Sequence, residues 1–322
     1  MEYKGTFVNL VAPQKIEFTE MELYEKDIGS NEIIAKTILS AISPGTELAA
    51  YMGQPPLRPS IQQYPRLLGY CNVARVVAVG RAVKDCRIGD RVLTCQSHRS
   101  MFKIYAKEVI LKIPEAIDSA EIAALYLYHL GYKSLECGEV ASGTTVAVIG
   151  LGPIGLGIVR LANIRGAAVT AVSGDEKRLR RASEMGAQTM HLKHAGVPVG
   201  QCDVVITTSN SWDDWLLALR LAGKGGTVVV VGFPGRGMPL PQFNPLDPQF
   251  FYDKQLTIKA AGNAPDEEVQ RNCAHLLDLV SSRKLHPSEL ISGQFPASDI
   301  AVAYKKLRTQ GSDAITFLLN WS

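Results

Sequence analysis

The chain has 322 residues, 46% of them hydrophobic and 20% charged, with a formal net charge of +3. That length suits two domains with a core each, and the composition is that of a folded globular protein. A positive charge so small and so dispersed excludes an electrostatic nucleic-acid binder.

From Met1 to about Pro114 the chain reads as short strands broken by turns. Runs such as Ile33-Ile34-Ala35, Ala74 to Val79 and Asp90 to Leu93 are separated by Ser43-Pro44-Gly45 and Arg87-Ile88-Gly89-Asp90. Met1 to Gly5 enters a strand pattern and carries no secretory signal. No apolar run approaches the roughly 20 residues that a bilayer requires. Cys71, Cys86, Cys95, Cys137, Cys202 and Cys273 contain no C-x-x-C pair, so neither a zinc knuckle nor a redox motif is readable. The expectation is a soluble, cytoplasmic protein with no membrane or nucleic-acid partner.

From about Asp118 to Gly262 the pattern becomes strand, turn, helix, repeated. Val146 to Ile149 is a continuous apolar run, as expected of a strand covered on both faces. A helix is predicted over Ile154 to Ile164, a strand over Ala168 to Val172 and a helix over Glu176 to Met185. Strands at Asp203 to Thr207 and Thr227 to Val231 flank a helix at Trp212 to Leu221. This alternation implies βαβ units and a doubly wound parallel sheet, so the fold class is α/β. A helix from Asp266 to Ser281 and a mixed tail follow, ending in a strand at Ala314 to Leu319. The expected division is 118–262 for the α/β domain, with 1–117 and 263–322 forming the β-rich one.

Between the first strand and helix of the α/β domain lies Gly150-Leu151-Gly152-Pro153-Ile154-Gly155. A G-x-G-x-x-G that leaves a buried strand and opens a helix is a dinucleotide fingerprint. Gly150 permits the turn, Gly152 lets backbone approach a pyrophosphate, and Gly155 lets helix pack on strand, with Pro153 and Ile154 at the helix start. In sites that prefer NAD an acidic residue ends the second strand and binds the ribose 2′-hydroxyl. Here that position is Ser173, small and neutral, followed by Lys177 and Arg178, which can pair with a 2′-phosphate. The reading favours NADP(H) over NAD(H). The competing reading has Asp175 fold back onto the ribose.

Taken together, the turn-rich N-terminal half with Arg87-Ile88-Gly89-Asp90-Arg91-Val92, the glycine fingerprint and the return to the first domain resemble the medium-chain dehydrogenase/reductase superfamily over essentially the whole chain. The resemblance implies a GroES-like catalytic domain built from both termini, a Rossmann domain between them, an active site in the cleft, a small-molecule substrate and a homodimer formed through the Rossmann domain. Many such enzymes hold a catalytic zinc. Their cysteine, histidine and third ligand correspond here to Pro44, Tyr70 and Tyr126, and the segment from Cys95 to Tyr105 lacks the four-cysteine lobe of a structural zinc. Proline cannot ligate and tyrosine is a rare zinc ligand, so no zinc is expected. No recognised spacing supports a relocated site from Cys71, His98 and Glu47. The motif Ser43-Pro44-Gly45-Thr46-Glu47 with Gly69-Tyr70 is similar to a zinc-lacking, alcohol dehydrogenase-like subgroup that includes bacteriochlorophyllide and natural-product biosynthetic dehydrogenases.

What this implies is a zinc-independent oxidoreductase transferring hydride between NADP(H) and an alcohol or ketone, in secondary-metabolite or sugar and cyclitol metabolism. Without zinc, hydrogen-bond donors must stabilise the alkoxide and carry its proton. Thr46 matches the family's proton-relaying hydroxyl. Tyr70 and Tyr126 replace ligands, so their phenols are candidates for the vacated volume. His98 and His129 are the nearest histidines and candidate proton acceptors, while Glu47 reads as a carboxylate that ties the loop. Each also has a plainer reading, as turn hydroxyl, packed aromatic or core histidine. Two rival functions are a quinone or enoyl reductase and a non-catalytic NADPH-binding scaffold or sensor.

Overall fold

In the computed structural model, which describes residues 1–57, 63–192, 200–262 and 264–322, the chain resolves into two compact units. One comprises Met1–Tyr126 with Ala264–Ser322, and the other Leu127–Asn263.

The first unit begins with β1 (Glu2–Ala12), β2 (Lys15–Tyr24), β3 (Glu32–Ala41), α1 (Pro44–Tyr51), β4 (Arg66–Leu67) and β5 (Asn72–Val79). It continues through β6 (Arg91–Thr94), β7 (Met101–Tyr105), β8 (Leu111–Ile113) and α2 (Ser119–Ala123). The helix α3 (Leu125–Cys137) carries the chain into the second unit. There β9 (Thr145–Ile149), α4 (Pro153–Ile164), β10 (Ala168–Ser173), α5 (Glu176–Glu184), β11 (Gln188–His191), β12 (Cys202–Thr207), α6 (Trp212–Leu221), β13 (Ala222–Val230) and β14 (Thr257–Ala260) follow. The chain closes with α7 (Asp266–Ser281), β15 (Ile291–Pro296), α8 (Ile300–Thr309) and β16 (Thr316–Asn320).

Among the described residues the second unit holds one sheet in the order β11-β10-β9-β12-β13-β14, every pair parallel. Counted within the unit this is 3-2-1-4-5-6, the doubly wound order, and it reverses direction between β9 and β12. Ala147, Ile149, Val172, Val205 and Val228 are buried against Trp215, Ala218 and Leu219 of α6. The apolar run that predicted β9 is therefore a consequence of cover on both faces.

The first unit is antiparallel at its centre. Strands β3, β5, β6 and β8 pair in sequence, β7 joins the other edge of β3, and β16 extends the sheet from the C-terminal segment. Ile33, Ala35, Ala74, Val76, Val92 and Phe102 fill one side. Ile42 and Ala50, at and after the start of α1, pack with Tyr304 of α8 and Phe317 of β16, which joins the two chain termini in one core.

Two elements differ from the sequence reading. The Ser43-Pro44-Gly45 turn signal opens a helix, because Pro44 stands at its first position, where the missing N–H costs nothing. The expected boundary at 118 lies later, since α2 belongs with the first unit: Ser288 donates to Glu121 through both its backbone N–H (3.2 Å) and its hydroxyl (2.5 Å). Asn263, at the second expected boundary, lies outside the described residues.

Candidate active site

The nucleotide-binding end of the second unit follows from its topology, since ligands of open parallel sheets bind outside the carboxyl ends of the strands where their order reverses. Here those ends are Ile149 and Thr207, and Thr208 ties them: its N–H donates to Ile149 O at 2.9 Å and its hydroxyl to Gly150 O at 2.8 Å. Gly150 has φ +86°, which a side chain would strain. A Cβ on Gly155 would lie 1.9 Å from Gly150 O, whereas one on Gly152 would meet nothing within 4 Å. Backbone is thus pressed together behind the turn and open in front of it, at the N-terminus of α4 where Pro153 and Ile154 begin the helix. That cradle fits a dinucleotide pyrophosphate.

Ser173 ends β10 and accepts a hydrogen bond from Asp175 N–H at 3.1 Å. Asp175 in turn caps α5, its Oδ1 accepting from the N–H groups of Lys177 (2.9 Å) and Arg178 (3.0 Å). The carboxylate is occupied by the helix end, a standard N-cap role, so the structure gives no support to its folding back onto a ribose. Lys177 is exposed and Arg178 half-buried on the first turn of the same helix.

In the first unit the helix α1 gathers the chemistry. Its N-cap residue, Ser43, makes no side-chain cap bond. The hydroxyl is diverted to a short hydrogen bond with the Tyr70 hydroxyl, which is also hydrogen-bonded to Thr46. Thr46 is exposed and Tyr70 half-buried. Tyr126 packs edge-on against Tyr70 with ring centroids 5.6 Å apart, and its hydroxyl bonds the surface-accessible Cys95 thiol. Three of the predicted residues, Thr46, Tyr70 and Tyr126, therefore converge.

Desolvation dominates the acid–base behaviour of this cluster. It pushes the Tyr70 phenol well above the ordinary tyrosine range, with the neighbouring Cys71 adding to the rise and hydrogen bonds from Ser43 and Thr46 opposing it. Tyr126 is raised likewise, by desolvation and then by Cys95. Surrounding protein lifts the Cys95 thiol to about 11. At neutral pH all three hold their protons and can act as donors.

The histidines fall elsewhere. His98 is fully buried behind α1, with Nε2 2.8 Å from Glu47 Oε2 and Nδ1 2.8 Å from Ser40 Oγ. Both ring nitrogens are engaged within the core, which gives His98 the setting of a structural histidine. Glu47 is the loop-tying carboxylate that the sequence suggested. His129 is buried in α3, in the second unit, and Thr46 belongs to the first. Sequence reasoning missed Ser43, Cys95 and Thr208. Ser43 had a signal, a capping-type residue directly before Pro44; Cys95 and Thr208 had none, because their roles arise from residues far away in the chain.

The donor set at the positions that correspond to the ligands of zinc dehydrogenases does not fit that metal: it consists of Pro44, whose pyrrolidine ring carries no donor group, and two protonated phenols. Among the described residues no three His, Cys, Asp or Glu side chains converge in a metal-holding group, Cys71, His98 and Glu47 included. Nor, among them, is any helix long and apolar enough to cross a membrane.

Comparison with known proteins agrees with this fold. The family described as zinc-binding dehydrogenase matches residues 153–278. A probable zinc-binding alcohol dehydrogenase of Mycobacterium tuberculosis is 28% identical over an alignment covering 85% of this chain and 78% of its own. Among solved structures, a protein of Escherichia coli CFT073 described as a short chain alcohol dehydrogenase, complexed with NADH, superposes with TM-score 0.82 at 20% identity, covering 98% of this chain and 99% of its own. A putative zinc-binding dehydrogenase of Sinorhizobium meliloti 1021, bound to NADP, gives 0.79 at 22% identity, with 99% of each chain covered. The architecture is thus a Rossmann domain with a GroES-like domain, shared with zinc-binding dehydrogenases.

The cap assignment is testable. Asp175→Ala should lower stability by about 1 kcal/mol while Asp175→Asn, itself a good cap, should change it by a few tenths. Neither should alter the ratio of NADPH to NADH affinity. Thermal unfolding and coenzyme titration of both variants check this, and a large change in that ratio for Asp175→Asn would return the carboxylate to the ribose.

Proposed function

We propose that this chain is a dehydrogenase/reductase that interconverts an alcohol and a ketone with NADP(H) and without zinc. The observation that carries the reading is the contact of three hydroxyls, Ser43, Thr46 and Tyr70, at the positions around which the zinc enzymes build their metal site. As an NAD(P)-dependent oxidoreductase the chain agrees in class with the alcohol dehydrogenase it is similar to.

The nucleotide, when bound, supplies or accepts the hydride. The protein's task is to manage the charge and proton that follow it. As a carbonyl is reduced its oxygen becomes basic, and a phenol that keeps its proton at neutral pH is the appropriate donor. Tyr70 gives up the proton, Ser43 and Thr46 stabilise the phenolate left behind by donating to it, and Thr46, which is exposed, restores the proton from solvent. Burial keeps the phenol protonated at neutral pH, the form that a proton donor for ketone reduction requires.

For the coenzyme, the support is the neutral end of β10 at Ser173, with two cations on the helix that follows and the local carboxylate engaged in its cap. The second unit also supports a homodimer formed through it. β14 ends the sheet, and the segment leading to it exposes Leu240, Leu246 and Tyr252, an edge and an apolar surface that a second copy can cover.

Three measurements follow. With a panel of ketones, quinones and enones, NADPH-driven turnover should appear with ketones and survive a chelator. Thr46→Val, which keeps side-chain size, should then reduce it by about 10²- to 10⁴-fold with coenzyme affinity unchanged. Turnover confined to quinones or enones, no turnover at all, or a Thr46→Val enzyme within about twofold of the parent would each overturn the reading. Replacing Ser173 with Asp should weaken NADPH binding roughly tenfold, about 1.4 kcal/mol, and strengthen NADH, since a carboxylate repels the phosphate and accepts from the free hydroxyl; tighter NADH than NADPH binding in the parent protein contradicts the assignment. Light scattering should give about twice the 35.0 kDa chain mass, and a monomer at micromolar concentration removes the dimer.

A further inference from the structure

Behind the hydroxyl cluster lies a chain of buried polar groups that takes no direct part in it. Ser40, His98 and Tyr304 are fully buried and Glu47 is 2% exposed. Glu47 Oε1 accepts the backbone N–H of Ser43 at 2.6 Å, and its Oε2 lies 2.8 Å from His98 Nε2 and accepts the Tyr304 hydroxyl at 2.6 Å. On the far side of the imidazole, Ser40 Oγ stands 2.8 Å from Nδ1 and accepts the indole N–H of Trp321 at 2.9 Å.

From this geometry we propose that Glu47 and His98 form a buried positioning pair, which sets the start of α1 and, through it, the Ser43 and Thr46 hydroxyls that orient Tyr70. The proposal rests on the reading of Tyr70 as proton donor.

The direction of the hydrogen bonds follows from the end of the chain. Trp321 can only donate, so Ser40 accepts from it, which leaves the Ser40 hydroxyl hydrogen available to His98 Nδ1. The proposed arrangement uses it so, with Nε2 carrying the hydrogen and donating to Glu47. A carboxylate removed from water is costly unless donors surround it, and Glu47 has three, from α1, from the segment after β6 and from α8. Those three bonds satisfy the buried carboxyl group. The bond to Ser43 N–H matters most for the site. It holds the residue before the helix, which leaves the Ser43 hydroxyl free of capping and available to Tyr70.

A second consequence is electrostatic. Desolvation is the main cause of the raised Tyr70 phenol, and the negative charge of Glu47 adds a smaller push in the same direction. The other titratable groups facing Tyr70 are Cys71 beside it and Tyr126 against its ring, with Cys95 beyond Tyr126, all of them neutral at pH 7. Glu47 is the ionised member of that surround, and its own neighbours are His98 and Tyr304.

A merely structural Glu47 and a positioning Glu47 differ in what they do to the pH profile. Glu47→Gln keeps an oxygen for Ser43 N–H and removes the charge. It should lower kcat for ketone reduction about tenfold and shift the alkaline limb of kcat to lower pH, the direction expected when a negative charge that raises the Tyr70 phenol is removed, with NADPH affinity unchanged. Tyr304→Phe removes one donor but not the charge, so it should lower the unfolding temperature and leave the limb in place. An unmoved limb in Glu47→Gln, or an equal movement in both variants, overturns the proposal. Nitrogen-15 NMR of the histidine rings in the unaltered protein provides an arm independent of folding and turnover. At pH 7.5 the signal lost in His98→Asn should show a bare Nδ1 and a protonated Nε2; the opposite tautomer overturns the proposal. If the unaltered enzyme reduces no ketone, the NMR result still stands or falls by itself, which separates this inference from the proposed function.

Discussion

A carboxylate buried in a protein must be given hydrogen-bond donors, and in this chain the donors for Glu47 come from three distant parts of one unit. That requirement ties together α1, the segment after β6 that carries His98, and α8 from the C-terminal third of the sequence. Trp321 joins through Ser40, so the last residues of the chain are part of the same arrangement. Gly69 shows how little freedom remains: with φ +85°, it lies where an added Cβ would come within 2.7 Å of the His98 ring. The residue before Tyr70 is thus required to be glycine for backbone and for space, and Tyr70 inherits its position from both.

The reading without zinc proposed above and this network concern the same helix, α1. Where the zinc enzymes this chain resembles place a soft or imidazole donor, it has Pro44 and two phenols. A metal would supply a fixed positive charge to stabilise an alkoxide. In the proposed zinc-free reading hydroxyls supply instead a proton and a set of dipoles, which are effective only if preorganised. The proposed positioning pair of Glu47 and His98 would give that order to a short helix.

The nucleotide unit is built on a different constraint. Its parallel strands pair only with each other and take cover from helices on both faces, so the functional end of the sheet is set by chain direction alone. Thr208 then joins the two strand ends on either side of the reversal, and the crowding of Gly155 against Gly150 leaves Gly152 facing open space. Coenzyme choice is a local matter at the end of β10, where one cap, Asp175, is committed to α5.

Sequence alone determined the two-unit plan, the parallel sheet, the helix from Trp212 to Leu221 and the glycine turn, because each depends on periodicity or on glycine conformations that neighbours in the chain dictate. It also determined that Thr46, Tyr70 and Tyr126 deserved comparison, since their positions follow a motif. What it could not decide was which polar groups are inside. His98 and Glu47 are 51 residues apart and Tyr304 is 257 from Glu47, and no local pattern encodes such meetings. The same applies to the boundary after α2, decided by a contact between Glu121 and Ser288, and to the helix begun by Pro44, which reads as a turn until Glu47 is seen holding Ser43, the residue before it. Hydrogen-bond satisfaction of buried groups is a property of the folded core, and only the tertiary structure could show His98 inside it with both ring nitrogens bonded.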